Sequence, residues 1–207
     1  NCLIYDIENK KVKDFLVTRR KQYLDDYFSS YTKEVKEQVE YFVTDMWDSY
    51  ISLARKHFKK SKIIIDRFHI IKLATETLNR IRIELMNKYK VTDFNYRVLY
   101  RFRDLIKLKS ANVTTHYKKY RGYNFYSDYD VIKYILSLSE ELEEAYYLMQ
   151  AVFEMFDKKD VSKLDDIFRD TNINHWKIKS TVRTYLKYKE YIINSIIYPY
   201  SNGLVEA

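Results

Sequence analysis

Residues 41–71 constrain this chain most. Two short apolar runs, Tyr41-Phe42-Val43-Thr44 and Ile63-Ile64-Ile65, each end in an aspartate, Asp45 and Asp66. Between them Tyr50, Leu53, Ala54, His57 and Phe58 recur at the spacing of one helix face. The stretch predicts strand, helix, strand. Two strands joined through a helix favour a parallel pair in an α/β sheet. Chemistry in such sheets collects at the carboxyl ends of the strands, where both aspartates fall. The residues alone leave Asp45 two roles: a cap on the helix starting at Met46 or Trp47, or a metal ligand. Asp66 and His69 are three apart, on one face of a helix start. Taken as residues alone, they suit an N-cap aspartate paired with a half-buried histidine.

The rest of the chain is organised about that unit. Residues 2–7 and 12–18 read as strands, with Glu8-Asn9-Lys10-Lys11 as a hairpin connection. Tyr23, Tyr27, Phe28 and Tyr31 predict one helix over about 21–37. A long helix starts at Arg67, with Ile71, Ala74, Leu78, Ile81 and Leu85 as its stripe. Tyr96, Leu99, Phe102 and Ile106 mark another. Leu138, Leu142, Ala145, Met149, Val152 and Phe156 mark a third, its start placed at Ser137 by Glu140 three residues on. Val161, Leu164 and Phe168 give a short helix. Ile178 to Ile196 predict one long final helix, stopped before Pro199. Residues 73–198 hold no convincing strand. The expected organisation is an α/β core over 1–72, a helical lobe over 73–198 and a return over 199–207. Periodicity alone also allows two separate domains.

The formal net charge is +8, which favours a polyanionic partner, nucleic acid before membrane. No apolar run approaches transmembrane length. The lone cysteine, Cys2, excludes an intrachain disulfide and fits a reducing cytoplasm. The charge concentrates in Arg97, Arg101, Arg103, Lys107, Lys109, Lys118, Lys119 and Arg121, interleaved with Tyr100, Tyr117 and Tyr120. Asp104 is the one acid among them. Such a stretch suits phosphate tracking on DNA, or a solvated basic face. The chain starts at Asn1 and ends at Ala207, directly after Glu206, so both ends read as cut from a longer protein.

Val43-Thr44-Asp45-Met46 with Tyr50, then Ile65-Asp66-Arg67-Phe68-His69, and finally Ser201-Asn202-Gly203 with Glu206 resemble the core of DDE transposases of bacterial insertion sequences. The ISL-three group is the nearest match, over nearly all of the chain. The resemblance implies an incomplete RNase H-like mixed sheet with a large all-helical insertion. It implies DNA as partner (transposon ends and target) and a homo-oligomer assembled on that DNA. It makes Asp45 the second acid and Glu206 the third, together holding Mg²⁺ or Mn²⁺. Asp66 and His69 would lie beside the active site, Asp66 orienting His69. The first acid belongs to a strand that precedes this pattern. Residues 1–18 match the family's second and third strands, which sets Asp6 aside as its substitute. Two rivals stand beside this expectation: a two-metal nuclease of the same fold, and a non-catalytic DNA-binding or regulatory relative.

Overall fold

The structure is a computed structural model that describes residues 2–169 and 175–201. It is mixed α/β and divides into two compact units. One comprises the residues up to Ile70 together with those from Tyr188 on; the other spans Ile71–Lys187.

In the first unit β1 (Cys2–Asp6) and β2 (Lys11–Leu16) form the expected antiparallel hairpin, with a register shift between Ile4 and Tyr5. The expected parallel pair is also present. β3 (Tyr41–Thr44) runs beside β4 (Lys62–Ile65), Tyr41 opposite Lys62 and Thr44 opposite Ile65. Their crossover helix, α3 (Asp48–His57), buries Ile51, Leu53, Ala54 and His57, the face its periodicity predicts. Among the described residues no ladder joins the hairpin to the parallel pair.

The single helix expected over 21–37 is two, α1 (Lys21–Ser29) and α2 (Lys33–Glu37). Ser30 closes the first, and the Thr32 hydroxyl accepts from the Val35 N–H to start the second. Leu24 of α1 meets Leu16 and Leu53 in a small core, with Cys2, Ile4, Tyr27, Phe28 and Tyr50 packed around it.

The outer edge of β4 is closed by a helix. In a parallel strand alternate residues face opposite edges, so Ile63 and Ile65 turn away from β3. Their carbonyls accept from Asn194 Nδ2, at 2.7 Å, and from Ser195 Oγ, both on α10 (Lys189–Ile197). Side chains thus satisfy an edge that another strand would otherwise pair. α10 stops where Tyr198, extended at φ −98° and ψ 138°, meets the proline restriction on its own backbone.

The second unit contains helices and loops and no strand among its described residues. α4 (Arg67–Met86) begins in the first unit and continues into this one. α5 (Phe94–Arg101), α6 (Asp128–Leu136), α7 (Glu140–Lys158), α8 (Ser162–Arg169) and α9 (Trp176–Lys187) follow. The predicted stripe on α4 is buried at Ala74, Leu78, Ile81 and Leu85. α7 starts at Ser139 rather than Ser137. Ser139 Oγ accepts from Leu142 N at 3.2 Å, while Ser137 closes α6, a helix the apolar pattern did not mark. The long final helix is also divided: Tyr188, at φ −107° and ψ 17°, separates α9 from α10.

Arg82 on α4 is 4% exposed. Its guanidinium donates to the Leu99 carbonyl at 2.7 Å and to Asn79 Oδ1 at 2.9 and 3.1 Å. Burial lowers its pKa. The charge sits in the last turn of α5, where the helix dipole favours a cation.

Candidate active site

Asp45 and Asp66 leave the sheet side by side. Asp66 N donates to Thr44 O at 2.9 Å, which carries the β3–β4 ladder one step past the strands. The two acids then part in environment. Asp66 is 1% exposed, and its Oδ1 accepts from Phe68 N at 3.2 Å, capping α4. The Asp45 side chain is 43% exposed, and its Oδ1 lies 2.9 Å from His69 Nε2. The start of α4 therefore turns His69 toward the end of β3.

Asp45 does not serve as a helix cap. The residue before α3 is Trp47, and no side chain caps that end. The Asp45 carbonyl accepts from Trp47 N at 2.8 Å, a backbone turn that leaves the carboxylate available. Asp48, in the first turn of α3, accepts from Tyr188 Oη at 2.7 Å. Near Asp45, Tyr50 and Cys2 pack against the same small core of Leu16, Leu24 and Leu53. Burial first, then the Cys2 charge, pushes the tyrosine up to about 12. Burial also raises the Cys2 pKa, and Asp45 adds to it.

These contacts fix the direction of the hairpin. Cys2, at the start of β1, lies at the carboxyl end of β3 beside Tyr50 and Asp45. The other end of the hairpin lies near the start of β3. Tyr200 packs on Tyr41 at 4.5 Å, and its hydroxyl reaches Glu8 at 3.5 Å. β1 thus runs opposite to β3. Asp6 is four residues from Cys2, about 13 Å along a strand, and away from Asp45. Its carboxylate accepts from Asn9 N at 3.0 Å and Asn9 Nδ2 at 2.9 Å, and pairs with Lys13 at 3.1 Å. Those bonds, the Asn9 backbone first, lower its pKa to about 2. Asp6, the last residue of β1, thus braces the hairpin turn.

Glu206, with Asn202 and Gly203 before it, lies outside the described residues. Among the described residues no group of three His, Cys, Asp or Glu side chains is placed to hold a metal ion. Asp45 offers one oxygen-donor carboxylate of the right chemistry, partly engaged by His69. The described residues do not by themselves fit a two-metal site.

The basic stretch is not a row of bare cations. Lys107 pairs with Asp104 at 2.9 Å and Lys109 with Asp157 at 2.6 Å. Arg103 lies 3.6 Å from Asp104 and over the Tyr100 ring, and Lys118 pairs with Asp128 at 3.1 Å. Arg101 stands over Phe102 and Tyr123, and Arg97 is exposed on α5. Fold contacts that reach outside the stretch, to Asp128 and Asp157, were invisible in its local composition.

A family model described as transposase, of the DDE type and ISL-three group, matches residues 2–207. The chain belongs to this transposase family. No curated protein and no solved structure matches it. Membership makes DNA transposition the process in which the chain takes part, and an insertion sequence its setting. No helix among the described residues is long and apolar enough to cross a membrane.

Helical spacing marks His57 of this transposase-family chain only as packing, and it does not mark Trp47 or Phe68 at all. His57, on the buried stripe of α3, lies with Nε2 2.7 Å from Asp25 Oδ1, while Lys56 meets the other Asp25 oxygen at 2.6 Å. Lys56 first, then His57, lowers the Asp25 pKa. Trp47 and Phe68, 40% and 50% exposed, follow the two candidate acids. The signal for them was simply an aromatic residue two places after each aspartate.

Proposed function

We propose that this chain is part of the catalytic domain of a DDE transposase, which cuts DNA at the ends of its element and joins the freed 3′-OH to a target. Both steps are in-line displacements at phosphorus. The observation that carries the proposal is the half-exposed Asp45 carboxylate at the carboxyl end of β3, in a chain matched to the family from residue 2 to residue 207. The core is read as RNase H-like: an antiparallel hairpin, then a parallel pair running opposite to its first strand, with the helical unit Ile71–Lys187 as the insertion and α10 returned to the core. In that fold a further strand, carrying the first acid, belongs between β1 and β3, which are unpaired with each other here. Asp45 and Glu206 are proposed to hold Mg²⁺ or Mn²⁺. Bound metal would neutralise charge on the phosphate and activate the attacking oxygen.

His69 is proposed to hold the Asp45 carboxylate toward the site, with Asp66 fixing the helix start from which His69 projects. Arg97, Arg101, Arg103, Lys107 and Lys109 are proposed to meet DNA phosphates. Arg97 and Arg101 should contribute most, because Lys107 and Lys109 already have carboxylate partners. Replacing Arg97 and Arg101 by Ala should weaken DNA binding and reduce its salt slope by roughly one per lost phosphate contact. Replacing Lys107 and Lys109 should change the slope less. Binding isotherms at several salt concentrations check both, and an unchanged slope in the double arginine variant would remove α5 from the interface.

The deciding experiment incubates the full-length protein with the terminal duplex of its element and Mg²⁺. Cleavage that depends on Asp45 supports the proposal. DNA binding without cleavage would favour the non-catalytic reading.

A further inference from the structure

Strand ends deliver a cation as well as acids to this part of the sheet. β1 runs opposite to β3, and β2 runs opposite to β1, so β2 and β3 point the same way. β2 therefore leaves the hairpin at the end where Asp45 leaves β3. Leu16, its last residue, is the register partner of Cys2 and packs in one small core with Tyr50. Arg19 is three residues on, inside the turn that enters α1. That turn is fixed on both sides. Arg20 N donates to Thr18 Oγ1 at 3.3 Å, and Arg20 O accepts from Leu24 N at 3.1 Å. The Arg19 side chain is exposed.

Arg19 shares its neighbours with Asp45 without neutralising it. Burial dominates the raised pKa values of Cys2 and Tyr50. Among the smaller influences on both groups, Asp45 adds to the rise and Arg19 opposes it. The two charges thus act on the same pair of side chains. Yet Asp45 meets His69, and no ion pair among the described residues involves Arg19. Other arginines are engaged: Arg80 lies 3.6 Å from Glu76, Arg103 lies 3.6 Å from Asp104, and Arg82 donates to Leu99 O. Left unpaired, Asp45 and Arg19 can serve different parts of one substrate. A carboxylate suits a metal ion. A guanidinium suits a phosphate, which its planar fork meets through two oxygens.

We propose that Arg19 binds the DNA phosphate at or next to the cut. The inference rests on the transposase reading for its ligand, and it adds to that reading a phosphate contact supplied by β2. A phosphate approaching Asp45 meets a like charge, and a cation beside the carboxylate offsets that repulsion. Arginine does this better than lysine, because its fork fixes the orientation of the phosphate as well as its position.

The test uses the full-length protein carrying Asp45→Asn, without Mg²⁺, so that no strand is cut and the carboxylate does not repel DNA. Its ligand is the dye-labelled terminal duplex of the element, in a set of probes with one uncharged methylphosphonate linkage stepped along the strand. Binding is read by anisotropy. One linkage, at or next to the cut made by the wild-type protein, should weaken binding about tenfold. Adding Arg19→Ala should weaken binding to the unmodified duplex about as much, and should abolish the penalty at that linkage. Arg19→Lys keeps the charge, loses the fork and should fall between. Lys11→Ala, at the opposite end of β2, removes the same charge and should keep the full penalty. Because Arg19 is exposed, its variants should unfold at the parent's temperature. A full penalty beside Arg19→Ala, a penalty that Lys11→Ala also abolishes, coupling only far from the cut, or no linkage-specific penalty would each overturn the contact. Loss of the penalty in Arg19→Ala, in a protein whose cleavage ignores Asp45→Asn, would keep the contact and reject the catalytic assignment. Asp45-dependent cleavage with an unmoved penalty would do the reverse.

Discussion

Asp45→Asn should lower Mg²⁺-dependent cleavage of the element's terminal duplex by about a thousandfold, the scale lost when one stabilising group is removed from a charged transition state. The amide keeps the shape of the carboxylate and loses its charge. Because the side chain is 43% exposed, the substitution should cost the fold little. Asp66→Ala is the contrast. Asp66 is 1% exposed and caps α4, so its loss should cost about 1 kcal/mol of stability as well as activity. His69→Gln lies between: His69 Nε2 is 2.9 Å from Asp45, and loss of such a supporting contact costs about 10- to 100-fold. Cleavage rates on a gel and thermal unfolding of the same samples separate these effects. Wild-type cleavage by Asp45→Asn would remove Asp45 from the chemistry.

The parts of this architecture that were legible in the sequence are those set by local rules. The β3–α3–β4 unit was readable because two apolar runs bracket a clean helical stripe. The hairpin was readable because four polar residues separate two short apolar stretches. Breaks were less so. Thr32 divides α1 from α2 by a single cap, and Tyr188 divides α9 from α10 with no glycine or proline to announce it. Ser137 and Ser139 are both plausible caps, and only the helix before them, α6, determines which one starts α7. At the site, the positions of Asp45 and Asp66 followed from strand ends. Their division of labour did not, because it depends on which carboxylate the incoming helix buries. The neutralisation of Lys109 by Asp157, 48 residues away, likewise has no local signature.

The same division between local and tertiary causes predicts where the second unit is fragile. Among the described residues, the contacts between α9 and α4 include an ion pair of Lys177 with Glu84 near the start of α9 and a buried seam further along it. Glu84 is 50% exposed, and surface pairs of this kind are worth about 0–1 kcal/mol, so Glu84→Gln should scarcely change stability. Tyr185 is 0% exposed, with its hydroxyl near the backbone of Ala74 on α4, itself 0% exposed. One turn earlier Thr181 Oγ1 and Thr77 Oγ1 lie 2.7 Å apart in the same buried seam. Tyr185→Ala would leave a ring-sized void that rigid helices on both sides cannot close. The expected cost is about 3–5 kcal/mol, or a fall in Tm of about 10 °C for a protein of this size. Tyr185→Phe keeps the volume and should cost about 1 kcal/mol. Urea unfolding followed by helical circular dichroism measures all three variants. If Tyr185→Ala unfolded at the wild-type midpoint while Glu84→Gln did not, the surface ion pair and not the buried ring would be what holds α9 in place.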